Sequence, residues 1–315
     1  MRTLRIVFMG TPDFAVGTLK ALLHADYNVV GVITAPDKPA GRGRKLTESA
    51  VKTFAVSRGL PVLQPQNLKD PGFLEQLKQL DANLQIVVAF RMLPEVVWKM
   101  PEFGTFNLHA SLLPDYRGAA PINWAIINGE TLTGVTTFFI DHMIDTGAII
   151  AKEEVPIPGD MTAGELHDQL MEKGAGLVVK TVESIQKNAV TTTPQPNVSN
   201  QKSAPKIHKE TCKIKWNNGT KDIYNHIRGL SPFPTAWSYM ANKDEKVAVK
   251  IFRGLPIYES HNLLPGTIRV AESGVKVATL DGFIELLEIQ LPGRRKMLIK
   301  DLLNGYDFDP NAKML

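Results

Sequence analysis

The chain has 315 residues, 43% of them apolar and 22% charged, with a formal net charge of +4, values of a soluble globular protein long enough for two domains. Cys212 is the only cysteine, which excludes an internal disulfide and a cysteine-rich metal site. The apolar run Ile6–Met9 is too short for a signal-peptide core and no stretch elsewhere is long enough to span a bilayer, so a cytoplasmic protein with no membrane partner is expected. Charge is unevenly distributed. Residues 1–206 carry 20 Lys+Arg and 20 Asp+Glu, whereas residues 207–315 carry 16 and 12, so the whole positive excess lies in the last third. That excess suits a polyanionic partner, and solubility alone would also account for it.

In chain order, Leu4–Met9 reads as a buried strand, and Thr11-Pro12 opens a helix running to about Leu23. Asn28–Ala35, Gln85–Phe90 and Phe103–His109 read as further strands separated by helical patterns, which implies right-handed crossovers and a mostly parallel sheet. Val135–Ile140 and Ala148–Glu154 follow as strands around a short connection. Thr162 and Glu165 have capping-box spacing ahead of an apolar stripe, predicting a helix from about Ala163 to Lys187. Residues 189–206, rich in Thr, Pro, Gln, Asn and Ser, read as a linker between a domain over 1–188 and another over 207–315. The last region holds strand candidates at Lys213–Trp216, Ala236–Met240, Val247–Phe252, Gly266–Val270, Gly274–Leu280 and Phe283–Leu291, with one helix at Thr220–Arg228. Many short strands in so few residues predict a small antiparallel barrel.

The chemistry concentrates in Phe103–Ser111. Period-two alternation sets Thr105, Asn107 and His109 on one face and Phe106 and Leu108 on the other. An amide donor beside an imidazole at the C-terminal end of a parallel strand lies where open α/β sheets build their sites, although a satisfied structural pair fits the same pattern. Asp145, in Asp141-His142-Met143-Ile144-Asp145-Thr146-Gly147, is placed to pair with His109 or to accept a proton; as a turn former before Thr-Gly it has an ordinary structural reading too. His142 has no partner at motif spacing and reads as structural. No His/Cys spacing suits a metal, and Gly10-Thr11-Pro12-Asp13 is neither GxGxxG nor a Walker loop, which disfavours a dinucleotide or a nucleoside triphosphate. Lys38, Arg42, Arg44 and Lys45 lie on a Pro/Gly-rich loop whose charge suits a phosphate backbone or simply solvent. Trp216, Tyr224, Phe233, Trp237 and Tyr239 read mostly as core, with one or two available for stacking.

Asn107-Leu108-His109-Ala110-Ser111-Leu112-Leu113-Pro114, its continuation Asp115-Tyr116-Arg117-Gly118-Ala119-Ala120-Pro121-Ile122, and Ile144-Asp145-Thr146-Gly147 together resemble the signature of the folate-dependent formyltransferases. The opening Val7–Ala15, the basic stretch Lys38–Leu46 and Ile227–Trp237 resemble the tRNA-specific branch of that family. The resemblance implies a Rossmann-like formyltransferase domain followed by an OB-fold-like β-barrel. It implies transfer of the formyl group of 10-formyltetrahydrofolate to the amino group of methionyl initiator tRNA, by a monomer and without a metal. It assigns catalysis to Asn107, His109 and Asp145 and folate contact to Ser111, Leu112, Leu113, Pro114 and the segment Phe90, Arg91, Met92. It places Phe14 near the methionyl group, and Lys38, Arg42, Arg44 and Lys45 against the tRNA. Phe90-Arg91-Met92-Leu93-Pro94 departs from the Tyr-Gly pair that relatives often carry before the proline. The rival readings are a formyltransferase for a small amine, a hydrolase releasing formate from the same folate, and an RNA-binding protein on an inactive scaffold.

Overall fold

A computed structural model describes residues 2–40, 45–196, 199–271 and 274–315. The chain divides into two compact units, residues 1–118, 133–156 and 167–203 in the first and 119–132, 157–166 and 204–315 in the second.

The first unit begins with β1 (Ile6–Gly10), α1 (Asp13–His24), β2 (Val29–Ile33), β3 (Lys38–Ala40), β4 (Lys45–Thr47), α2 (Ala50–Ser57), β5 (Val62–Leu63), α3 (Pro71–Gln79), β6 (Leu84–Val88), α4 (Glu95–Trp98) and β7 (Thr105–His109). The chain continues through β8 (Arg117–Gly118), α5 (Pro121–Ile127), β9 (Leu132–Phe139), β10 (Ile149–Pro156) and α6 (Ala163–Gln186). The helix starts follow from side chains. Ser49 Oγ accepts from Lys52 N at 3.0 Å and Asp70 Oδ1 from Phe73 N at 2.9 Å, with Pro71 supplying a first-turn residue that has no N–H to satisfy. At α6 the expected capping box forms: Glu165 N donates to Thr162 Oγ1 at 3.3 Å and Thr162 N to Glu165 Oε2 at 2.7 Å.

The sheet has strand order β10-β9-β7-β6-β1-β2-β5. β1 pairs in parallel with β2 and β6, β2 with β5 and β6 with β7, while β9 runs antiparallel to β7. Every residue of β1 and β6 is buried, as strands covered on both faces require. Val7, Met9, Ile33 and Val87 pack with Phe73, Leu77 and Val97. From β1 the chain winds first towards β2 and β5 and later returns to β6 on the other side. The carboxyl ends of β1 and β6 are thus a topological switch point, the place where such sheets open a ligand crevice.

The second unit contains α5 and, after β11 (Ser203–Ala204), a 3₁₀ turn at Glu210–Cys212, α7 (Thr220–Gly229), β12 (Ala236–Asn242), β13 (Glu245–Ile257), β14 (Ile268–Ala271), β15 (Gly274–Ala278), β16 (Phe283–Gln290), β17 (Met297–Leu298), α8 (Ile299–Leu303) and β18 (Lys313–Met314). Its sheet runs β14-β15-β16-β13-β12-β18, and a bridge between Thr267 and Lys313 brings the two edges together into a nearly closed barrel. Gly266 makes that closure possible. Its φ is +88°, and a Cβ there would sit 2.3 Å from Met314 O. Inside lie Trp216, Ile223, Ile227, Val249, Ile251, Val277 and Leu286, and Trp216 Nε1 donates to Ser238 Oγ at 2.9 Å.

Three features differ from the sequence-based expectations. Lys213–Trp216 is no strand; Lys213 makes one isolated parallel bridge to Trp237, and the chain there turns to bury Ile214 and Trp216. The basic stretch is not a plain loop, because its flanks pair as the antiparallel ribbon β3–β4, while Arg42 and Arg44 lie outside the described residues. The second unit also takes in Ala119–Leu132 and Ile157–Leu166, where Asn123 Nδ2 donates to Gly229 O at 2.8 Å and Arg228 Nη1 to Met161 O at 2.8 Å. Of the five aromatics, Trp216 and Trp237 are buried, Tyr224 and Tyr239 pack against the barrel core, and Phe233 is 81% exposed.

Candidate active site

β7 delivers Asn107 and His109 on one face because Phe106 and Leu108 are drawn into the core on the other. α6 packs tightly over that apolar face: a Cβ on Gly174 would meet Leu108 Cδ2 at 2.8 Å. Asn107 is half-buried, and its carboxamide makes no hydrogen bond among the described residues, which leaves its donors available. His109 is 7% exposed. Its Nε2 lies 2.8 Å from Tyr116 O, and since a carbonyl only accepts, Nε2 carries the proton of that bond. The remaining ring nitrogen, Nδ1, faces Asp145 Oδ2 at 3.8 Å, too long for a hydrogen bond but close enough for charge to be felt.

The loop between β9 and β10 fixes the carboxylate. Asp141 Oδ1 accepts from Met143 N at 2.9 Å and Thr146 Oγ1 at 2.7 Å, closing a local turn. Asp145 then takes φ +56°, a left-handed conformation that Asp tolerates better than most residues. Gly147 is obligatory beside it, because a Cβ would lie 1.6 Å from Phe139 O. Gly118 N donates to the same Asp145 Oδ2 at 3.0 Å, so the carboxylate is held by one backbone donor and looks at the imidazole. His142 is exposed.

Ser111–Pro114 follows directly from β7. Ser111 Oγ donates to Asp115 O at 2.6 Å, Thr136 Oγ1 to Ser111 O at 2.7 Å and Leu113 N to Thr136 Oγ1 at 3.2 Å, while Lys152 Nζ donates to Leu113 O. Leu113 packs with Phe138 and Ile149. Segment 111–114 is therefore pinned by hydrogen bonds and packing where it leaves β7.

At the switch point a crevice of about 480 Å³ is lined by Thr11, Ala35, Pro36, Asp37, Lys38, Gln66, Phe90 and Arg91. It unites Phe90 and Arg91 with Lys38, residues that the sequence assigned to different ligands, and its lining does not include Asn107, His109 or Asp145. Arg91 Nη1 donates to Gln66 O at 2.8 Å and Nη2 to Pro65 O, and burial lowers its guanidinium pKa. On the crevice wall Lys52 Nζ reaches Asp37 Oδ2 at 2.5 Å, and Gln64 Nε2 donates to Asp37 Oδ1 at 2.8 Å; hydrogen bonding to Lys52 and then to Gln64 pulls the Asp37 carboxyl below its ordinary range. Met92 is exposed. Phe14 is buried with the edge of His167 at 5.3 Å. Lys45 contributes its backbone to β4. Among the described residues no three His, Cys, Asp or Glu side chains come together as a metal would need, and no helix is long and apolar enough to cross a membrane.

Sequence reasoning assigned no role to the groups hydrogen-bonded around this arrangement: Tyr116, whose carbonyl meets His109; Arg117, which donates to Gln195 and Gln201; and these two glutamines, which donate to carbonyls of Asp145, Gly147 and Pro114. Arg117 stands inside the quoted signature. Gln195, in Pro194-Gln195-Pro196, carried no periodic or motif signal.

A family model described as formyl transferase matches residues 4–182, and one described as formyl transferase, C-terminal domain, matches residues 206–307. The chain is 54% identical to a methionyl-tRNA formyltransferase of Flavobacterium johnsoniae over 100% of both chains. It is 53% identical to one of Bacteroides thetaiotaomicron over 99% of this chain and 98% of that one. Among solved structures, a sugar 3N-formyl transferase crystallised in the presence of dTDP and 5-N-formyl-THF superposes with a TM-score of 0.64 at 21% identity, covering 94% of this chain and all of that one. HypX from Aquifex aeolicus in complex with tetrahydrofolic acid gives 0.64 at 19%, over 96% of this chain and 47% of that one. These two likenesses bear on the fold, which is shared. Two family models in the right order and full-length identity above one half place the chain in the formyl transferase family, among the methionyl-tRNA formyltransferases.

Proposed function

We propose that Asn107, His109 and Asp145 form the centre at which a formyl group passes from 10-formyltetrahydrofolate to the α-amino group of methionyl initiator tRNA. The observation that carries this reading is the free carboxamide of Asn107 beside a buried imidazole whose one uncommitted nitrogen faces a carboxylate.

The amino nitrogen bonds to the formyl carbon while the bond from that carbon to the folate nitrogen breaks, and the proton lost by the amine leaves with the folate nitrogen. The formyl oxygen gathers negative charge in between. Asn107 Nδ2 and a protonated His109 Nδ1 donate to that oxygen, and such preorganised donors act most strongly where the charge develops. Tyr116 O orients the ring by accepting from Nε2. Asp145 supports the charged imidazole and relays the proton. No covalent enzyme intermediate is required. Ser111–Pro114 with Phe90–Met92 would hold the folate. Phe14 would lie towards the methionyl group, and Lys38, Arg42, Arg44 and Lys45 against the tRNA.

In this reading residues 1–188 carry the chemistry, 189–206 connect, and 207–315, with their positive excess, grip the phosphate backbone. The protein acts as a monomer in the cytoplasm, without a metal. The test is transfer of labelled formyl to charged initiator methionyl-tRNA, with uncharged tRNA and elongator methionyl-tRNA as controls. Label on the charged initiator alone is expected. Free formate would indicate hydrolysis, and label on a small amine would indicate the other branch of the family.

A further inference from the structure

Two segments distant in sequence meet at one guanidinium. Arg117 Nε and Nη2 donate to Gln195 Oε1 at 3.2 and 2.5 Å, and Arg117 Nη1 donates to Gln201 Oε1 at 3.1 Å. Each glutamine then spends its NH₂ on a loop of the candidate site. Gln195 Nε2 donates to Asp145 O at 3.0 Å and to Gly147 O at 2.8 Å. Gln201 Nε2 donates to Pro114 O. Near these, Tyr116 N donates to Lys202 O at 2.7 Å and Lys202 N to Asp115 Oδ1 at 3.2 Å. A backbone bridge between Ile149 and Thr193 anchors the start of this segment.

This arrangement has a direction. A carboxamide has one acceptor and two donors, and Gln195 uses them on opposite sides: oxygen towards Arg117, nitrogen towards the turn that carries Asp145. The turn holds Asp145 at φ +56°, a conformation that needs external support. Both carbonyls that Gln195 satisfies flank Thr146, so its NH₂ clamps the turn immediately behind the carboxylate. The Asp145 side chain is only 15% exposed and its Oδ2 already engages Gly118 N, one residue from the same guanidinium. A shift of this turn therefore changes the distance from Asp145 to His109 Nδ1 directly.

We infer that Gln195 is a positioning residue for formyl transfer: through its NH₂ it fixes the Asp145 turn against the Arg117 guanidinium, and so sets the carboxylate's placement relative to His109. The segment between the long helix and the second unit is a working part of the site as well as a connection. This rests on the assignment of Asp145 to the centre made above.

Gln195→Glu separates the two halves of the side chain. It keeps an acceptor for Arg117, with added charge, and removes the donors to Asp145 O and Gly147 O. Gln195→Met removes both halves at similar volume, and Gln195→Asn tests rescue by a shorter carboxamide. The full-length variants are assayed for kcat, for KM towards 10-formyltetrahydrofolate and towards methionyl initiator tRNA, and for Tm. The expected result is a fall in kcat of roughly tenfold to a hundredfold for Glu and Met, the range a misplacement of about 1 Å produces, with both KM values nearly unchanged. The Glu variant should keep a near-normal Tm, and Asn should recover part of kcat. If Gln195→Glu retains full kcat, or if kcat falls only in proportion to Tm across the series, the inference is overturned.

Asp145→Asn is measured alongside. Loss of turnover there with full activity in Gln195→Glu rejects the positioning role alone, whereas unchanged turnover in Asp145→Asn rejects the assignment on which it rests. When the Asp145→Asn change is already present, adding Gln195→Met should cost far less than it does alone, because the two act through one group. Full additivity would separate them and count against the inference.

Discussion

The two units solve opposite problems with buried polar groups. In the first unit polar side chains are drawn inward and left partly uncommitted: Asn107 has no partner among the described residues, and His109 Nδ1 faces a carboxylate across 3.8 Å. In the barrel unit several such groups are tied off, with His226 Nε2 as an exception. Thr220 N and Oγ1 donate to Asp281 Oδ1 at 2.7 and 2.8 Å, which lowers the Asp281 carboxyl and caps α7, and Trp216 is bonded to Ser238. A site that must bind developing charge keeps donors in reserve, whereas a scaffold that must close on itself satisfies them. On the assignment proposed above, chemistry falls to the first unit and shape and charge to the second.

The sharpest way to break this contrast is Asp145→Asn, expected to slow turnover by about 10²–10⁴-fold, the usual range for a lost acid–base group, with folate affinity and Tm nearly intact. Near-normal turnover in steady-state assays would remove Asp145 from the centre. Gly266→Ala makes the converse demand on the barrel. With φ at +88° and a Cβ 2.3 Å from Met314 O, it should cost roughly 2–4 kcal/mol in chemical denaturation, while kcat of the folded fraction stays the same. A stable variant would mean that the barrel edge closes without that contact.

A smaller effect is expected from Arg42→Glu. It should raise KM for tRNA about tenfold, more at low salt than at high salt, and leave KM for folate unchanged. Equal loss towards both substrates would make the basic stretch a structural element of the crevice.

The smallest effect concerns His226 in α7. Burial holds its imidazole below the ordinary 6.5, and its Nε2 is buried without a partner among the described residues. The folded state thus binds this proton less readily than the unfolded chain. Stability from this group is full above the unfolded value and is lost as pH falls through 6.5 towards the depressed folded value. Thermal unfolding of His226→Leu across that window should show a flatter pH dependence than the native chain, and an unchanged slope would assign the loss to other groups.

Local patterns carried much of this into the sequence. The alternation in Thr105–His109 placed Asn107 and His109 together, and Thr162 with Glu165 marked the start of α6 to the residue. Thr-Gly after Asp145 announced the turn. Contacts between distant segments were not legible. Nothing periodic marks Gln195 or Gln201, because what they bond is a guanidinium 78 and 84 residues away. Lys213–Trp216 has the composition of a strand, yet its apolar side chains are buried by a turn with a single bridge. The excursions at Ala119–Leu132 and Ile157–Leu166 lie inside the chain of one unit and fold with the other, which no boundary read from composition would reveal.

The most direct test of the account is the single-turnover rate of formyl transfer to methionyl initiator tRNA by Asn107→Ala, with both substrates saturating and folate affinity measured in parallel. Loss of an oxyanion donor predicts a chemical step slowed by about 10²–10³-fold with affinity unchanged. A rate equal to the native one, or a defect confined to folate affinity, would contradict the placement of the developing charge against Asn107 and His109.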